Sequence, residues 1–310
     1  MKIWPYWTIE TYGRGRLIRE LTGYSRSLPL CAYSNHGVKS GGIQPHEWNT
    51  DAPIVFFEDR RHVDAYRRAS TKPVYQMRSP FADYRRAAGI ERLPDARGTI
   101  AFPHHSTPSI DDGADGYAYA EELANLPAPF QPVTVCVHHH DVMKRRHEVF
   151  RDRGMNVVTA GNPLDSRFPD RLYELLREHA FATSNTVATA TFYAVEMGIP
   201  FFLFGPESQH WNVSDSNYAP GRRDRSELAR TAAPLFTYEN LDSISVTDEQ
   251  ASFARRILGL DGGLDWRDVN RLLHEALRKW AFSTRPVVYV TRQIRKRLVP
   301  SAQRGSRASQ

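Results

Sequence analysis

The chain predicts an α/β fold. Apolar runs of strand length alternate with amphipathic segments of helix length, nearly every run ends in polar residues, and residues 181–207 form a complete strand-turn-helix-strand unit. That unit, FATSNTVATATFYAVEMGIPFFLFGPE, reads as an apolar strand, a Ser/Asn/Thr turn, a helix from about Thr186 to Met197, a Gly-Ile-Pro stop and a second strand. A helix start presents unpaired N–H groups and the positive end of a dipole, so the turn is a natural seat for a phosphate or carboxylate.

The other elements follow in order. An aromatic start leads to a helix over Arg14 to Thr22, an apolar run from Leu28 to Tyr33, a strand from Pro53 to Glu58 and an Arg-rich helix from Arg60 to Ala69. From Gly98 a second series begins: GTIAFPHHS is a strand and polar turn, Asp115 to Leu126 a helix, PVTVCVHHH a strand with a polar end, Met155 to Ala160 a strand and Phe168 to His179 a helix. With the 181–207 unit this makes a doubly wound sheet, whose ligands gather at the carboxyl ends of the strands. Pro206 to Pro234 reads as a long loop of lid or linker type, holding Trp211, Tyr218 and the basic run GRRDR. Helices over Asp248 to Leu258, opened by the capping box Thr247-x-x-Gln250, and Asp265 to Phe282 complete the body. The expected divisions are 1–97, 98–260, a helical segment 261–291 and a basic tail 292–310.

Composition narrows the function classes. At 310 residues, 41% hydrophobic and 25% charged, the chain has the makeup of a soluble globular protein, with no stretch apolar enough to cross a bilayer. Its opening, MKIWPYWTIETYGRGR, lacks the apolar core of a signal peptide, so a cytoplasmic location is expected. Cys31 and Cys136 lie in apolar runs and are expected to be buried thiols. The net charge of +6 is matched by Arg292, Arg295, Lys296, Arg297, Arg304 and Arg307, with no acid among residues 292–310. The body is therefore near neutral and no nucleic-acid partner is expected; the tail is expected to be disordered, with a charge suited to peripheral contact at the inner face of the plasma membrane.

Histidines dominate the polar strand ends. His138, His139 and His140 read as the end of a strand, where alternate side chains face opposite ways, poor geometry for one metal. His104, His105, Ser106 and Thr107 form a polar turn that suits phosphate oxygens or, equally, a helix cap. His36, in Ser34-Asn35-His36-Gly37-Val38, sits at a strand-to-loop junction beside a glycine, a position suited to proton transfer; Lys39 makes the same loop basic. Glu196, near the end of the 186–197 helix, would accept sugar or ribose hydroxyls if that helix borders the crevice. No G-x-S-x-G elbow is present.

GTIAFPHHST, PFQPVTVCVHHHDV, GMNVVTAGN and TSNTVATATFYAVEMGIPFFLFG together resemble the second half of GT-B type glycosyltransferase-like proteins of bacterial surface polysaccharide (capsule and O-antigen) biosynthesis, and SNHGV is similar to a His-Gly element of related polymer transferases. The resemblance covers Gly98 to Gly205 and departs at His139-His140-Asp141, where sialyltransferase-like members carry a histidine followed by proline. It implies two Rossmann-like doubly wound domains with a cleft between them. It further implies metal-independent transfer of a sugar, without a cofactor, from a nucleotide-activated donor to a glycan or lipid-linked glycan acceptor. On that reading His36 is the base, and Ser184, Asn185 and Thr186, with His105, Ser106, His139 and His140, bind the donor phosphates. Glu196 takes a ribose or sugar hydroxyl. The alternatives are a non-catalytic binding or assembly relative and a metal hydrolase built on the histidines.

Overall fold

The structure is a computed structural model that describes residues 7–215, 220–223 and 226–283. The basic tail, Tyr218 and the end of the GRRDR run lie outside the described residues. The first unit contains α1 (Trp7–Glu10), α2 (Arg14–Thr22), β1 (Ala32–Ser34), α3 (Pro45–Trp48), β2 (Ile54–Phe57), α4 (Arg60–Ala69), β3 (Val74–Gln76) and α5 (Pro80–Ala87). Its strands are parallel in the order β1-β2-β3, with Ala32 opposite Ile54 and Val55 opposite Val74. Helix α4 starts where Asp59 accepts the Arg61 N–H at 2.8 Å, which satisfies a donor that the first helical turn leaves unpaired. Both α2 and α4 have the bounds expected from their apolar spacing.

The second unit contains β4 (Thr99–Ala101), β5 (Ile110–Asp112), α6 (Gly116–Ala124), β6 (Val133–Cys136), α7 (His139–Met143), α8 (Glu148–Arg151), β7 (Asn156–Val158), α9 (Phe168–Arg177), β8 (Phe181–Ser184), α10 (Thr189–Glu196) and β9 (Phe201–Leu203). Five of these strands form a parallel sheet in the order β7-β6-β4-β8-β9. The chain winds outward from β4 through β6 to β7 and then returns to β8 on the other side of β4. This is the doubly wound arrangement, and its switch point lies between β4 and β8.

The 206–234 segment is more structured than expected. It carries β10 (His210–Asn212) and β11 (Gly221–Arg223), antiparallel to each other, with β10 also antiparallel to β5, and then α11 (Glu227–Ala232). Asp111 and Asp112 thus lie in a strand. Helices α12 (Asp248–Ile257) and α13 (Trp266–Ala281) follow. The expected capping box opens α12: Gln250 N–H donates to Thr247 Oγ1 at 3.2 Å and Thr247 N–H to Gln250 Oε1 at 3.0 Å. Helix α13 buries Val269, Leu272, Leu273, Ala276 and Trp280 against Ile9, Ile18, Ile54 and Phe56, so the chain ends its described course in the core of the first unit. Each such aliphatic side chain removed from water stabilises the fold by roughly 1.5–3 kcal/mol.

The units are clasped by α2 and α5 against α9 and α10. Phe81 stacks on Tyr193 with ring centroids 5.1 Å apart, and Arg16 and Tyr84 both reach Asp170, at 2.6 and 2.5 Å. Glu196 belongs to this clasp. Its carboxylate is buried and accepts Arg85 Nε and Nη2, each at 2.7 Å, and Arg86 Nε at 2.7 Å. Its hydrogen-bond partners among the described residues are guanidinium groups of α5, which corrects the expected sugar-binding role. Cys31 and Cys136 are free and buried. No helix among the described residues is long and apolar enough to cross a membrane.

Candidate functional site

A cleft of about 1340 Å³ separates the two units where the carboxyl ends of β1, β4, β6 and β8 converge. Pockets for drug-sized ligands measure roughly 300–1,000 Å³, so this space suits a large ligand or two ligands side by side. His36, His105, His139, Ser184 and Thr186 line it, together with Tyr12, His104, His138, Thr189 and His210.

His36 reaches the cleft on the loop after β1. Val38 N–H donates to Thr189 Oγ1 at 3.1 Å, which fastens this loop to the first residue of α10. A Cβ on Gly37 would lie 2.8 Å from the same oxygen, so glycine is what permits the approach. Lys39 does not offer an unpaired charge: it is buried and bonded at 2.6 Å to Glu47.

The helix of the 181–207 segment begins at Thr189, three residues later than its pattern suggests. Ser184 Oγ accepts the Thr186 N–H at 3.2 Å, and Thr191 Oγ1 accepts the Ala188 N–H at 3.1 Å, so polar side chains hold residues 184–188 as a separate turn. Ser184 and Thr186 line the cleft from that turn. Asn185 does not: its Oδ1 accepts His104 N–H at 2.8 Å and its Nδ2 donates to the Pro206 carbonyl at 3.1 Å, which ties together the loops after β4, β8 and β9. Ser106 is likewise structural. Fully buried, it donates its hydroxyl proton to Asp141 at 2.5 Å, and that carboxylate also accepts its backbone N–H. Neither residue is placed to hold a donor phosphate, contrary to expectation.

The three consecutive histidines do not continue a strand. His138 is the N-cap of α7, its Nδ1 accepting His140 N–H at 3.3 Å, and His139 and His140 occupy the first helical turn. His139 faces the cleft with Asn162 Nδ2 3.4 Å from its Nε2. His140 is not among the lining residues; its ring centroid is 5.0 Å from that of His138.

A continuous row of rings crosses the inner wall. His210 Nε2 is 3.0 Å from His104 Nδ1, His104 stacks on His105 at 5.6 Å, and His105 on His138 at 4.0 Å. His138 Nε2 then meets the Tyr12 hydroxyl at 2.9 Å, and the Tyr12 ring stacks on His36 at 5.5 Å. Asp112 anchors the far end, 3.6 Å from His104. Burial raises the Asp112 carboxyl, but the His104 contact and the Gln209 and Ala114 N–H groups outweigh it and leave the group below the usual carboxylate range.

Crowding keeps the central rings neutral. Loss of water lowers His105, then the neighbouring His104 lowers it further; loss of water followed by the His105, His140, His139 and His36 rings holds His138 far below the ordinary value. His36 opens to the cleft water on one side and is walled by protein on the others. That enclosure, aided by His105, Arg14 and His46, pulls it down to about 4. A neutral His36 is able to accept a proton. His105 Nδ1 lies 3.0 Å from the Ser106 carbonyl, which accepts only, so Nδ1 carries the ring proton and the other nitrogen is an acceptor. Neutral His105 is therefore a second proton acceptor in the cleft rather than the phosphate donor expected.

Among the described residues no group of three His, Cys, Asp or Glu side chains could hold a metal ion. Tyr12, Thr189, His210 and Asp112 are site residues that sequence reasoning did not single out. Tyr12 and Thr189 carried no signal beyond their place at helix boundaries, and His210 and Asp112 meet only through the antiparallel pairing of β5 and β10.

No family model matches the chain, and no curated protein matches it. Among solved structures it is similar to the wall teichoic acid polymerase TagF, at a TM-score of 0.40 and 11% identity over 74% of this chain and 58% of that one. It is also similar to a putative UDP-N-acetylglucosamine 2-epimerase from Listeria monocytogenes, at 0.40 and 11% over 80% and 68%, and to the pneumococcal O-GlcNAc transferase GtfA solved with UDP and GlcNAc, at 0.31 and 10% over 76% and 46%. The chain thus spans less than two thirds of the length of TagF. At these values the functional reading rests on the side chains of the cleft.

Proposed function

We propose that the cleft binds a nucleotide-activated donor and transfers its sugar, or a sugar-like group, to a hydroxyl of a surface polysaccharide acceptor without a metal ion. The observation that carries this reading is the junction of the two units at Val38 and Thr189, which puts a neutral histidine of one unit in the same cleft as the Ser184–Thr186 turn of the other. Transfer requires a base for the acceptor hydroxyl and hydrogen-bond donors for the charge that grows on the leaving phosphate. His36 supplies the first. The Thr186 hydroxyl and the N–H groups at the start of α10 supply the second, with His139 beside them. Turnover in the presence of a chelator is expected to equal turnover without it.

The test is a thermal-shift panel of nucleoside mono- and diphosphates on the wild type and on Ser184→Ala and Thr186→Val. A ligand at a hundredfold excess over its dissociation constant stabilises the fold by about 2.7 kcal/mol. A shift with one nucleotide class that both substitutions reduce supports the reading. No shift with any nucleotide counts against it and favours a different occupant of the cleft.

A further inference from the structure

We infer that Tyr12 is a further catalytic residue of this site, a hydrogen-bond donor whose O–H is turned into the cleft by His138, toward a phosphate oxygen of the ligand. The inference rests on the donor reading for its ligand and on hydrogen-bond geometry for its direction. His138 Nδ1 accepts the His140 N–H that caps α7, so this nitrogen carries no proton. A neutral imidazole then holds its single proton on Nε2, the atom 2.9 Å from the Tyr12 hydroxyl. The bond therefore runs from His138 to Tyr12. The phenolic oxygen accepts, and its own hydrogen is left to another partner in the cleft that Tyr12 lines. Burial raises the Tyr12 hydroxyl to about 12, so that hydrogen stays in place near neutral pH.

The backbone supports the assignment. Tyr12 has φ 56° and ψ 31° between α1 and α2, left-handed geometry that is uncommon for a bulky residue and costs of order 1–3 kcal/mol. Surrounding contacts hold it there: its N–H donates to the Pro163 carbonyl at 2.5 Å, its ring packs edge-on to Phe168 at 4.8 Å, and the following Gly13 is also left-handed, at φ 72°. A residue of the first unit is thereby wedged between His36 and a strand end of the second.

In the transfer step the acceptor oxygen bonds to the transferred carbon and its proton passes to His36. The bond from that carbon to the donor phosphate oxygen breaks, and its electron pair stays on the phosphate. Tyr12 keeps its proton and donates a hydrogen bond to that phosphate.

The test joins two measurements on the wild type and Tyr12→Phe, which keeps the ring. Nitrogen-15 NMR of the imidazoles is expected to show His138 as the Nε2–H tautomer, with that nitrogen shifted in Tyr12→Phe. The Nδ1–H tautomer would mean that Tyr12 donates to His138 and would overturn the inference whatever the ligand. Calorimetric titration with inorganic pyrophosphate is expected to show binding that weakens five- to tenfold in Tyr12→Phe; equal affinity overturns the donor role. Absence of wild-type binding overturns the phosphate seat itself, while the tautomer measurement still reads the direction of the bond.

Discussion

Gly37→Ala tests how the first unit delivers His36 to the cleft. The added methyl would sit 2.8 Å from Thr189 Oγ1 and 3.7 Å from Thr189 Cβ and Cγ2, so the oxygen must give way or the loop must lift. If Thr189 rotates, the Val38 N–H loses its acceptor, which costs about 1–3 kcal/mol for a donor left buried and less where water replaces it. If the loop lifts, the His36 ring moves with it, and a base displaced by about 1 Å loses on the order of a hundredfold in rate. Both routes lead through one oxygen. Thr189→Ala removes that atom and leaves only the 3.7 Å contact, so Gly37→Ala added to Thr189→Ala is expected to cost nothing more. Denaturant unfolding and donor turnover of the two single variants and the double variant form the cycle. A Gly37→Ala penalty of the same size with and without Thr189 would refute the reasoning.

Other outcomes follow from the same geometry. Asn185→Ala is expected to lower stability by about 1–3 kcal/mol in denaturant melts, since His104 N–H and the Pro206 carbonyl lose their partner. Glu196→Ala leaves the half-buried Arg85 without its counter-charge and is expected to cost at most about 3–5 kcal/mol, with nucleotide affinity of the folded protein unchanged; a selective loss of affinity would restore a binding role. Because His36, His105 and His138 are all held below the ordinary histidine value, the unfolded chain binds more protons than the folded one below pH about 6.5. Stability is therefore complete above that pH and falls as pH drops from there toward about 4, the value for His36. Melts from pH 7.5 to 4.5 check the sign, and a protein that grows more stable on acidification refutes it. The acid limb of kcat/KM is expected well below pH 6.5, since the base stays neutral to about 4.

Much of the frame was legible in the sequence because it follows local periodicity. Helices α2 and α4 have the bounds expected from the sequence, and the strands after Gly98 were marked by largely apolar runs. The three-residue β5, β10 and β11 escaped notice because their pairing is long-range and their side chains do not alternate clearly. The site divided along the same line. His36, Ser184 and Thr186 stand at strand ends, where topology alone directs them to the crevice. Ser106, Asn185 and Glu196 have the chemistry of ligand contacts, but each is spent on a partner distant in sequence: Asp141, His104 with Pro206, and Arg85 with Arg86. Tyr12 came to light only through its backbone conformation and the proton count on His138.

The most direct test of the central claim is release of nucleotide from a nucleotide-sugar by the wild type and His36→Ala, measured beside the affinity of each for the free nucleotide. A general base in its working position contributes about 10²–10⁴-fold. The account predicts a loss of that order in turnover with nucleotide affinity retained. Full turnover by His36→Ala would contradict it.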